Sequence, residues 1–341
     1  MALRLPITAA SRAFGLTTAL NSGLLRTLVS VAGWAATAPL AIAAALRFLA
    51  HDRSLYLVWI NAYTFWVYLP AYPVAIAALV FRRWSLLAAS LAVVGVHLFW
   101  TIPDYRGAAK IPAEAFSAPT LRLFSTNLWY GNSDPGRIFR EAVQADPDIL
   151  LIQEFTPEAE AILIAEGIAS TLPYRIGETH AGAQGTAIYS RYPLIDAEVI
   201  NVGGVPMTRA TVQIEGRSLR IYNVHPVSPS SRASVAAWNR ELRALRDAVA
   251  AEPGEVVVAG DFNMTQHHAW YGRFIDAGLK DAYRERGAGN ATTWPNGLRK
   301  LRAIRIDQVF HTSGVVPLAL RVGRGEGSDH RPVITDLAIL K

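Results

Sequence analysis

The sequence predicts a mixed α/β protein, with two β-sheets packed face to face between outer helices, preceded by three transmembrane helices. Three observations support this. The first third of the chain contains three long stretches without charge, and the remainder alternates apolar β-type runs with helical segments. The whole chain is 51% hydrophobic and only 18% charged, whereas a soluble enzyme is nearer one quarter charged. Part of the chain is therefore expected to face lipid.

The three uncharged stretches have the length of membrane spans. They cover residues 27–46, 54–81 and 84–103, and charged residues, mostly arginines, border them. A helix needs about 20 apolar residues to cross the hydrocarbon core. Aromatic residues such as Trp59, Tyr63 and Trp66 enrich the second stretch, as is typical of membrane interfaces. A large buried helical core is the alternative, and the arginines at the edges argue against it.

The excess of positive over negative charge is confined to this first third. Residues 1–115 contain nine Lys and Arg against three acids, whereas residues 116–341 contain 24 of each sign. The neutral C-terminal part argues against tight duplex DNA binding, which needs excess positive charge. The basic loop residues slightly favour an N-terminus inside the cell, which predicts an extracytoplasmic C-terminal domain. The chain has no cysteine, so disulfides and thiol chemistry are excluded.

The predicted organisation is a membrane domain over residues 1–103, a linker over 104–119 and an α/β domain over 120–341. Pro157 and Pro135 sit at predicted helix starts, and a long amphipathic helix covers about 231–251. Another helix covers 134–144. Strands are predicted over 121–127, 148–154, 174–178, 185–190, 194–202, 207–215, 218–225, 255–260, 306–310 and 333–340.

Polar residues recur at the ends of these predicted strands, where ionisable groups from separate strands can converge on one cleft. The candidates are Asn127, Glu154, His225, Asp261, Asn263, Asp307, Asp329 and His330. Most of them have a plain structural alternative, such as a turn residue, a helix N-terminal acid or a satisfied buried histidine. Asp307 is harder to explain in that way, because an unpaired buried carboxylate is costly. We expect His330 to be its partner.

Taken as an ordered set, these motifs resemble the endonuclease/exonuclease/phosphatase superfamily. The resemblance covers roughly residues 120–341. Its motifs are Asn127, Leu-Ile-Gln-Glu154, Tyr-Ser-Arg-Tyr-Pro193, Asn-Val-His225, Gly-Asp261-Phe-Asn263, Ile-Asp307-Gln-Val-Phe and Ser-Asp329-His330-Arg-Pro. Membrane-anchored bacterial relatives of this superfamily have a similar layout. The resemblance implies a four-layer α/β sandwich and metal-assisted hydrolysis of a phosphate ester.

The resemblance also implies roles for the candidate residues. Glu154, with Asn127 nearby, would offer hard oxygen ligands to Mg²⁺, with Mn²⁺ as an alternative. Asp261 would orient or deprotonate the attacking water, and Asn263 would hold a phosphate oxygen. His330, fixed by Asp307, would act as general base or as a stabilising imidazolium.

Of the two remaining candidates, His225 would contact the phosphate or protonate the leaving oxygen, and Asp329 would assist the metal or the water. Two features depart from the family pattern. A proline-rich exit follows His225, and no partner that orients this histidine can be identified from the sequence. A basic run formed by Arg299, Lys300, Arg302 and Arg305 precedes Asp307, near Trp294. It is either a phosphate-binding element or a solvated loop.

The sequence thus predicts a membrane-anchored Mg²⁺-dependent hydrolase of phosphodiesters or phosphomonoesters, with a phospholipid or another membrane-proximal substrate favoured. A DNase I-like nuclease is the first alternative, and a non-catalytic membrane scaffold is the second. The expected partners are the lipid bilayer, through the N-terminal helices, and the phosphoester substrate. No motif for an obligate protein partner is evident.

Overall fold

The computed structural model describes residues 9–297 and 303–340. Within them the chain divides into two compact units. The first contains the chain up to residue 50 and residues 64–100. The second contains residues 51–63 and the chain from residue 101 onward. A short part of the N-terminal third therefore folds with the C-terminal α/β domain.

The first unit is helical. It contains α1 (Ala9–Ala50), α3 (Thr64–Val67), α4 (Ala71–Val80) and α5 (Trp84–Thr101) up to residue 100. Tyr68, Ala71 and Trp100 belong to its small buried core. The Arg47 guanidinium lies 3.9 Å from the centre of the Trp100 ring and also donates a 2.8 Å hydrogen bond to Thr64. Arginine and aromatic side chains thus hold the ends of these helices together.

Two helical segments are long and apolar enough to cross a membrane, namely Gly23–Ala50 and Trp84–Tyr105. The stretch predicted as the middle span is broken. Helix α2 (Leu55–Ala62) and the segment Thr64–Val80 meet at an angle of 83°, so this pair is either one broken span or a re-entrant loop. The break follows Ala62, where α2 ends and the chain passes from the second unit back into the first.

The second unit is built on two six-stranded sheets, as the mixed α/β class predicts. The first sheet has the strand order β11-β12-β1-β2-β4-β3, and the second has the order β5-β6-β7-β8-β10-β9. Their bounds are β1 (Thr120–Asn127), β2 (Ile149–Gln153), β3 (Tyr174–Glu178), β4 (Thr186–Ser190), β5 (Ile195–Val202), β6 (Val205–Ile214), β7 (Arg217–Val224), β8 (Val256–Asp261), β9 (Lys280–Asp281), β10 (Asp307–His311), β11 (Val315–Val322) and β12 (Val333–Ile339).

Alternating side chains place one hydrophobic layer between the sheets and one on each outer face. Leu121 and Leu123 of β1 point into the central layer, together with Val257 and Ala259 of β8. Phe124 points outward, into the layer beneath the helices. Successive side chains of a strand point to opposite faces of the sheet, so one strand contributes residues to both layers.

Helices cover both outer faces of the sheet pair. The helices of this unit, besides α2, are α6 (Gly136–Ala145), α7 (Pro157–Ala165), α8 (Ile168–Thr171), α9 (Arg232–Ala250), α10 (Ala269–Asp276) and α11 (Ala282–Glu285). Helix α9 begins with a capping box formed by Ser231 and Ser234, and its apolar face packs on the second sheet. Together with the two sheets, these helices give the layered α/β architecture.

Two parallel strand pairs position the site. Strand β1 pairs in parallel with β2, and β7 pairs in parallel with β8; each pair is joined through a helix, α6 or α9. Parallel strands end at the same edge of a sheet. Strand β10 runs antiparallel to β8, with Asp307 in register with Asp261. The residues that close β1, β2, β7 and β8 and open β10 therefore come to one end of the sandwich.

Residues 104–119, predicted as a linker, belong to the same unit as the α/β domain. Asp104 is 3% exposed and accepts a 2.9 Å hydrogen bond from Arg284 and a 3.2 Å hydrogen bond from Gln266. The Ala109 amide donates to the carbonyl oxygen of Glu285.

Candidate active site

The strand ends surround one cavity of about 500 Å³. Its wall includes six of the eight residues selected from the sequence, which are Glu154, His225, Asp261, Asn263, Asp329 and His330. The other two, Asn127 and Asp307, lie directly behind this wall and hydrogen-bond to residues in it. The structure therefore brings all eight candidates together.

Asn127 and Glu154 meet at the ends of β1 and β2. The Asn127 amide nitrogen donates 3.1 Å hydrogen bonds to Glu154 Oε1 and to Asp261 Oδ2. Glu154 Oε2 accepts a 2.9 Å hydrogen bond from the backbone N–H of Tyr130. Glu154 has a φ of 54°, in the left-handed region that few non-glycine residues adopt. This backbone turn directs the carboxylate away from β2 and into the cavity.

His330 and Asp307 form the expected pair. His330 Nδ1 lies 3.0 Å from Asp307 Oδ2 and 3.2 Å from Oδ1, and both side chains are almost fully buried. A carboxylate only accepts, so Nδ1 carries the proton and Nε2 faces the cavity. Burial alone would lower the pKa of His330. The carboxylates of Asp307 and Asp261 outweigh it and raise the pKa of His330 to about 10.

Asp261 lies between the two histidines. Its Oδ2 is 3.6 Å from His225 Nε2 and 3.6 Å from His330 Nε2. Burial raises the pKa of Asp261 to about 6, although the positive charge of His330 works in the opposite direction. The carboxylate is thus flanked by imidazole nitrogens on one side and by the Asn127 amide on the other.

His225 is oriented by the main chain. Its Nδ1 lies 3.1 Å from the carbonyl oxygen of Ala183, which can only accept, so Nδ1–H is the donor. Nε2 then faces Glu154 Oε1 at 3.7 Å. Sequence reasoning found no partner for this histidine because the partner is a backbone carbonyl 42 residues away. A backbone atom has no side-chain signature.

The turn after β8 is shaped by Gly260 and Asn263. A side chain at Gly260 would place Cβ 2.2 Å from the carbonyl oxygen of Val224, and φ is 143°. Only glycine fits this close approach of β7 and β8. Asn263 has a φ of 49°, and its N–H donates a 2.7 Å hydrogen bond to Asp261 Oδ1. Its side-chain amide donates to the Pro226 carbonyl oxygen at 3.0 Å.

The loop that carries His330 is fixed by its two preceding residues. Ser328 Oγ donates a 2.8 Å hydrogen bond to the Asn127 carbonyl oxygen and accepts a 2.9 Å hydrogen bond from the His330 amide. Asp329 Oδ2 accepts a 3.0 Å hydrogen bond from Trp294 Nε1. Asp329 Oδ1 is buried and has no hydrogen-bond partner among the residues that the structure describes. The Ser-Asp-His motif is therefore a structural element of the site as well as a source of chemistry.

The donor set is suited to a hard divalent cation. Glu154 brings a carboxylate to the cavity, and Asn127, whose amide nitrogen donates to it, carries an amide oxygen; carboxylate and amide oxygens are ligands that Mg²⁺ prefers. The unpartnered Asp329 Oδ1 adds one buried acceptor. Asp261, Asp307 and His330 also lie close enough together to hold an ion. At 3.0 Å, however, the His330–Asp307 contact is a hydrogen bond that occupies Nδ1, so we interpret these residues as a dyad beside a carboxylate.

The basic run before Asp307 has a different role where it can be described. Arg299, Lys300 and Arg302 lie outside the described residues. Arg305 is 1% exposed, donates a 2.9 Å hydrogen bond to Asp281 and lies over the Tyr283 ring. It is neither a solvated loop residue nor a ligand of the cavity, because its charge is neutralised inside the fold.

Sequence reasoning did not find the polar contacts beneath the site or one wall of the cavity. Asn223 is fully buried and links the sheets, accepting a 2.6 Å hydrogen bond from Gln153 and donating to the Ile152 carbonyl oxygen. Its position two residues before His225 was the available signal. The wall includes Val58 and Trp59 of α2. Their apolar character indicated a membrane helix.

Comparison with known proteins identifies the family. A model of the endonuclease/exonuclease/phosphatase family matches residues 124–330. The chain belongs to this family. Members of this family hydrolyse phosphate esters, which agrees with the residues assembled at the cavity. No curated protein sequence matches the chain.

Solved structures share the fold of this endonuclease/exonuclease/phosphatase domain. The family member from Beutenbergia cavernae is 21% identical, with a TM-score of 0.53, over 65% of this chain and 72% of that chain. A humanized D. rerio TDP2 is 19% identical, with a TM-score of 0.55, over 64% of this chain and 98% of that chain. The family member from Bacteroides vulgatus is 21% identical, with a TM-score of 0.53, over 64% and 99%.

Proposed function

We propose that the chain is a membrane-anchored, Mg²⁺-dependent hydrolase of phosphodiesters or phosphomonoesters, acting on a phospholipid or another membrane-proximal substrate. The observation that carries the proposal is the His330–Asp307 pair facing Asp261, beside the Glu154 carboxylate and the Asn127 amide that hydrogen-bonds to it. These groups supply positive charge, a carboxylate and hard metal ligands within one cavity. Phosphoryl transfer needs little more than such positioning and charge stabilisation.

Glu154 and Asn127 would hold the metal, with Mn²⁺ as an alternative to Mg²⁺. When bound, the cation neutralises charge on the phosphoryl oxygens. The Asn127 amide nitrogen already donates to Glu154 and Asp261, which leaves its side-chain oxygen as the possible ligand. That oxygen now accepts from the Trp129 amide at 2.9 Å, and a carbonyl oxygen has a second lone pair for a cation.

The remaining residues would transfer protons and stabilise charge. Asp261 would take the proton of the attacking water as the new P–O bond forms, while the bond to the leaving oxygen breaks. The leaving oxygen would receive a proton from the cavity-facing Nε2 of His225, in the form of the ring that carries a proton on both nitrogens. His330, fixed through Nδ1 by Asp307, would stabilise the transition state as an imidazolium. Asn263 has one amide hydrogen left for a phosphate oxygen, because the other is directed at Pro226.

A parity argument supports three membrane crossings. Residues 51–63 and the chain from 101 onward belong to one folded unit, so both lie on the same side of a bilayer. The chain between them must then cross an even number of times. If Trp84–Tyr105 is one crossing, the stretch 64–83 has to be the other, and the 83° bend lies before it, after α2. With Gly23–Ala50 as the first crossing and the N-terminus inside the cell, as the basic loop residues favour, we propose that the catalytic domain is extracytoplasmic.

A nuclease is the alternative with a specific observation in its favour, because a D. rerio TDP2 structure of the same fold holds a single-strand DNA product. The balance of 24 basic and 24 acidic residues over 116–341 favours the membrane-proximal substrate. A non-catalytic scaffold would have no need for the buried, mutually oriented Asp307 and His330.

The test uses the full chain in lipid nanodiscs. We expect Mg²⁺-dependent hydrolysis of bis-p-nitrophenyl phosphate and release of a phosphate-containing product from phospholipid vesicles. Activity should fall by at least about a hundredfold in His330→Ala. His180→Ala is the matched control, because His180 is exposed and outside the cavity. Rapid plasmid nicking without lipid products would favour the nuclease. Equal activity of His330→Ala and the parent chain would contradict the catalytic assignment.

A further inference from the structure

Helix α2 is firmly attached to the α/β domain, although it lies outside the family-matched residues 124–330. Asp52, just before it, is 3% exposed and accepts a 2.6 Å hydrogen bond from the Ala269 amide and a 2.7 Å hydrogen bond from Asn61. His268 Nε2 lies 3.0 Å from the Val58 carbonyl oxygen. That oxygen can only accept, so Nε2–H donates, and Nδ1 is free to accept from the Thr265 amide at 2.9 Å.

These contacts turn one face of α2 toward the catalytic cavity. Val58, Trp59 and Ala62 line it, in the same cavity that Glu154 and His330 line. Val58 and Ala62 are buried, whereas Trp59 is 43% exposed. Ala62 follows Val58 by four residues and Trp59 by three, so it lies next to both on one side of the helix. An apolar helix surface therefore adjoins the candidate catalytic groups.

The opposite parts of the cavity are apolar as well. Val205, Pro206, Val227 and Ile304 contribute aliphatic surface, and Trp129 lies beside them. Among the described residues of the lining there is no lysine or arginine. A nucleic-acid chain needs cations for its successive phosphates. A single phosphate with an attached apolar group needs only the candidate metal ligands and an apolar surface next to them.

We propose that Trp59 and its helix bind an apolar group attached to the phosphate, so that the preferred substrate is an amphiphilic phosphoester of the lipid type. This inference rests on the proposed function. Trp59 is assigned as a specificity-determining residue with no part in bond cleavage. A cavity of about 500 Å³ lies within the usual range for a ligand-sized apolar group.

Chain-length dependence tests the proposal. The substrates are p-nitrophenyl phosphodiesters whose second ester group is methyl, butyl or hexyl, used with the full chain in nanodiscs and Mg²⁺. We expect kcat/KM to rise by up to about fourfold per methylene, mainly through KM, because each buried methylene adds apolar contact. In Trp59→Ala the ratio of hexyl to methyl kcat/KM should fall by about tenfold, with the methyl ester changed by less than about twofold.

Tyr56→Ala is the matched control, because Tyr56 is an aromatic residue of the same helix that is 70% exposed and outside the cavity lining. Trp59→Phe should restore most of the chain-length dependence. A parent enzyme that hydrolyses the three esters equally well would overturn the proposal. So would Trp59→Ala losing activity equally on all three, since that pattern indicates a general defect of the site.

A binding measurement separates this proposal from the proposed function. The affinities of methylphosphonate, hexylphosphonate and an oligothymidylate are measured by calorimetry, with empty nanodiscs subtracted. Tighter hexylphosphonate binding that is lost in Trp59→Ala would support the apolar wall even if no ester were hydrolysed. Equal affinities of the two phosphonates would refute it. If an oligothymidylate binds more tightly than hexylphosphonate, and Trp59→Ala abolishes that binding, the wall would be assigned to base stacking instead.

Discussion

Replacing Asp307 by asparagine removes the negative charge next to His330 with almost no change in side-chain volume. The asparagine oxygen can still accept from His330 Nδ1–H, so the ring keeps its position. What changes is the electrostatic support for the imidazolium. In the parent chain the two groups are 3.0 Å apart, and both are buried.

The size of the effect follows from that distance. Two unit charges 3.0 Å apart attract by about 5 kcal/mol at an effective dielectric constant of about 20, which is an upper value because the imidazolium charge is spread over the ring. Asp261, at 3.6 Å, remains in the variant. We therefore expect the pKa of His330 to fall from about 10 by at least about two units. Burial lowers this pKa, and in the variant the Asp307 charge no longer counteracts it.

The assay is NMR of histidine labelled at Cε1, on the full chain in nanodiscs with EDTA to remove divalent cations. The chain has eight histidines, and His330→Gln assigns the resonance of interest. Titration of His330 near 6.5 in the parent chain would refute the reasoning, as would an identical midpoint in Asp307→Asn. Either result would mean that the carboxylate does not control the ring.

The same shift predicts how stability depends on pH. The pKa of His330 is raised in the folded state, so its contribution to stability is fully present below about pH 6.5 and is lost as the pH rises through about 10. Asp307→Asn should therefore be clearly less stable than the parent at pH 6, and the difference in melting temperature should shrink above pH 10. A difference that grows with pH would contradict this sign.

Three further predictions concern the architecture and the metal. Gly260→Ala should lower the free energy of unfolding by more than about 2 kcal/mol, because Cβ would meet a backbone oxygen, whereas Gly254→Ala, with open space around it, should be nearly neutral in denaturant melts. Arg305→Met should lower the free energy of unfolding by about 3–5 kcal/mol in the same melts, because Asp281 loses its buried cationic partner. An unchanged stability would mean that the hydrogen bond from Tyr271 is enough to stabilise the Asp281 carboxylate. Glu154→Gln should raise the Mg²⁺ concentration needed for half-maximal activity by at least about tenfold, and an unchanged requirement would place the cation elsewhere.

The sequence was sufficient for most of the α/β domain because its strands have clear patterns. The ten predicted strands are all present, and their ends differ by two residues at most. Two strands were not predicted: β9 has only two residues, and in β11 Pro317 interrupts the apolar run. Strand β11 is an edge strand, and its register shifts between Pro317 and Ala319. Proline is tolerated at such positions, and the linear pattern does not identify them.

At the site, prediction succeeded where a costly group demanded a partner. Asp307 in an apolar strand required a cation, and His330 provides it. Arg305 was misread because its partner, Asp281, lies 24 residues away and belongs to no local motif. Helix α2 was read as part of a lipid-facing stretch because hydropathy reports only that a surface avoids water. It does not distinguish lipid tails from the wall of a cleft.

The position of α2 bears on how specificity can vary within the family. The motif residues of the catalytic domain lie inside the matched region 124–330, whereas one wall of the cavity comes from residues 51–63, between two membrane-type segments. Two relatives with the same motifs can therefore present different cavities if their preceding segments differ. Under the proposed roles, the groups for hydrolysis and the apolar wall for substrate selection are encoded in separate stretches of sequence, and they can change independently during evolution.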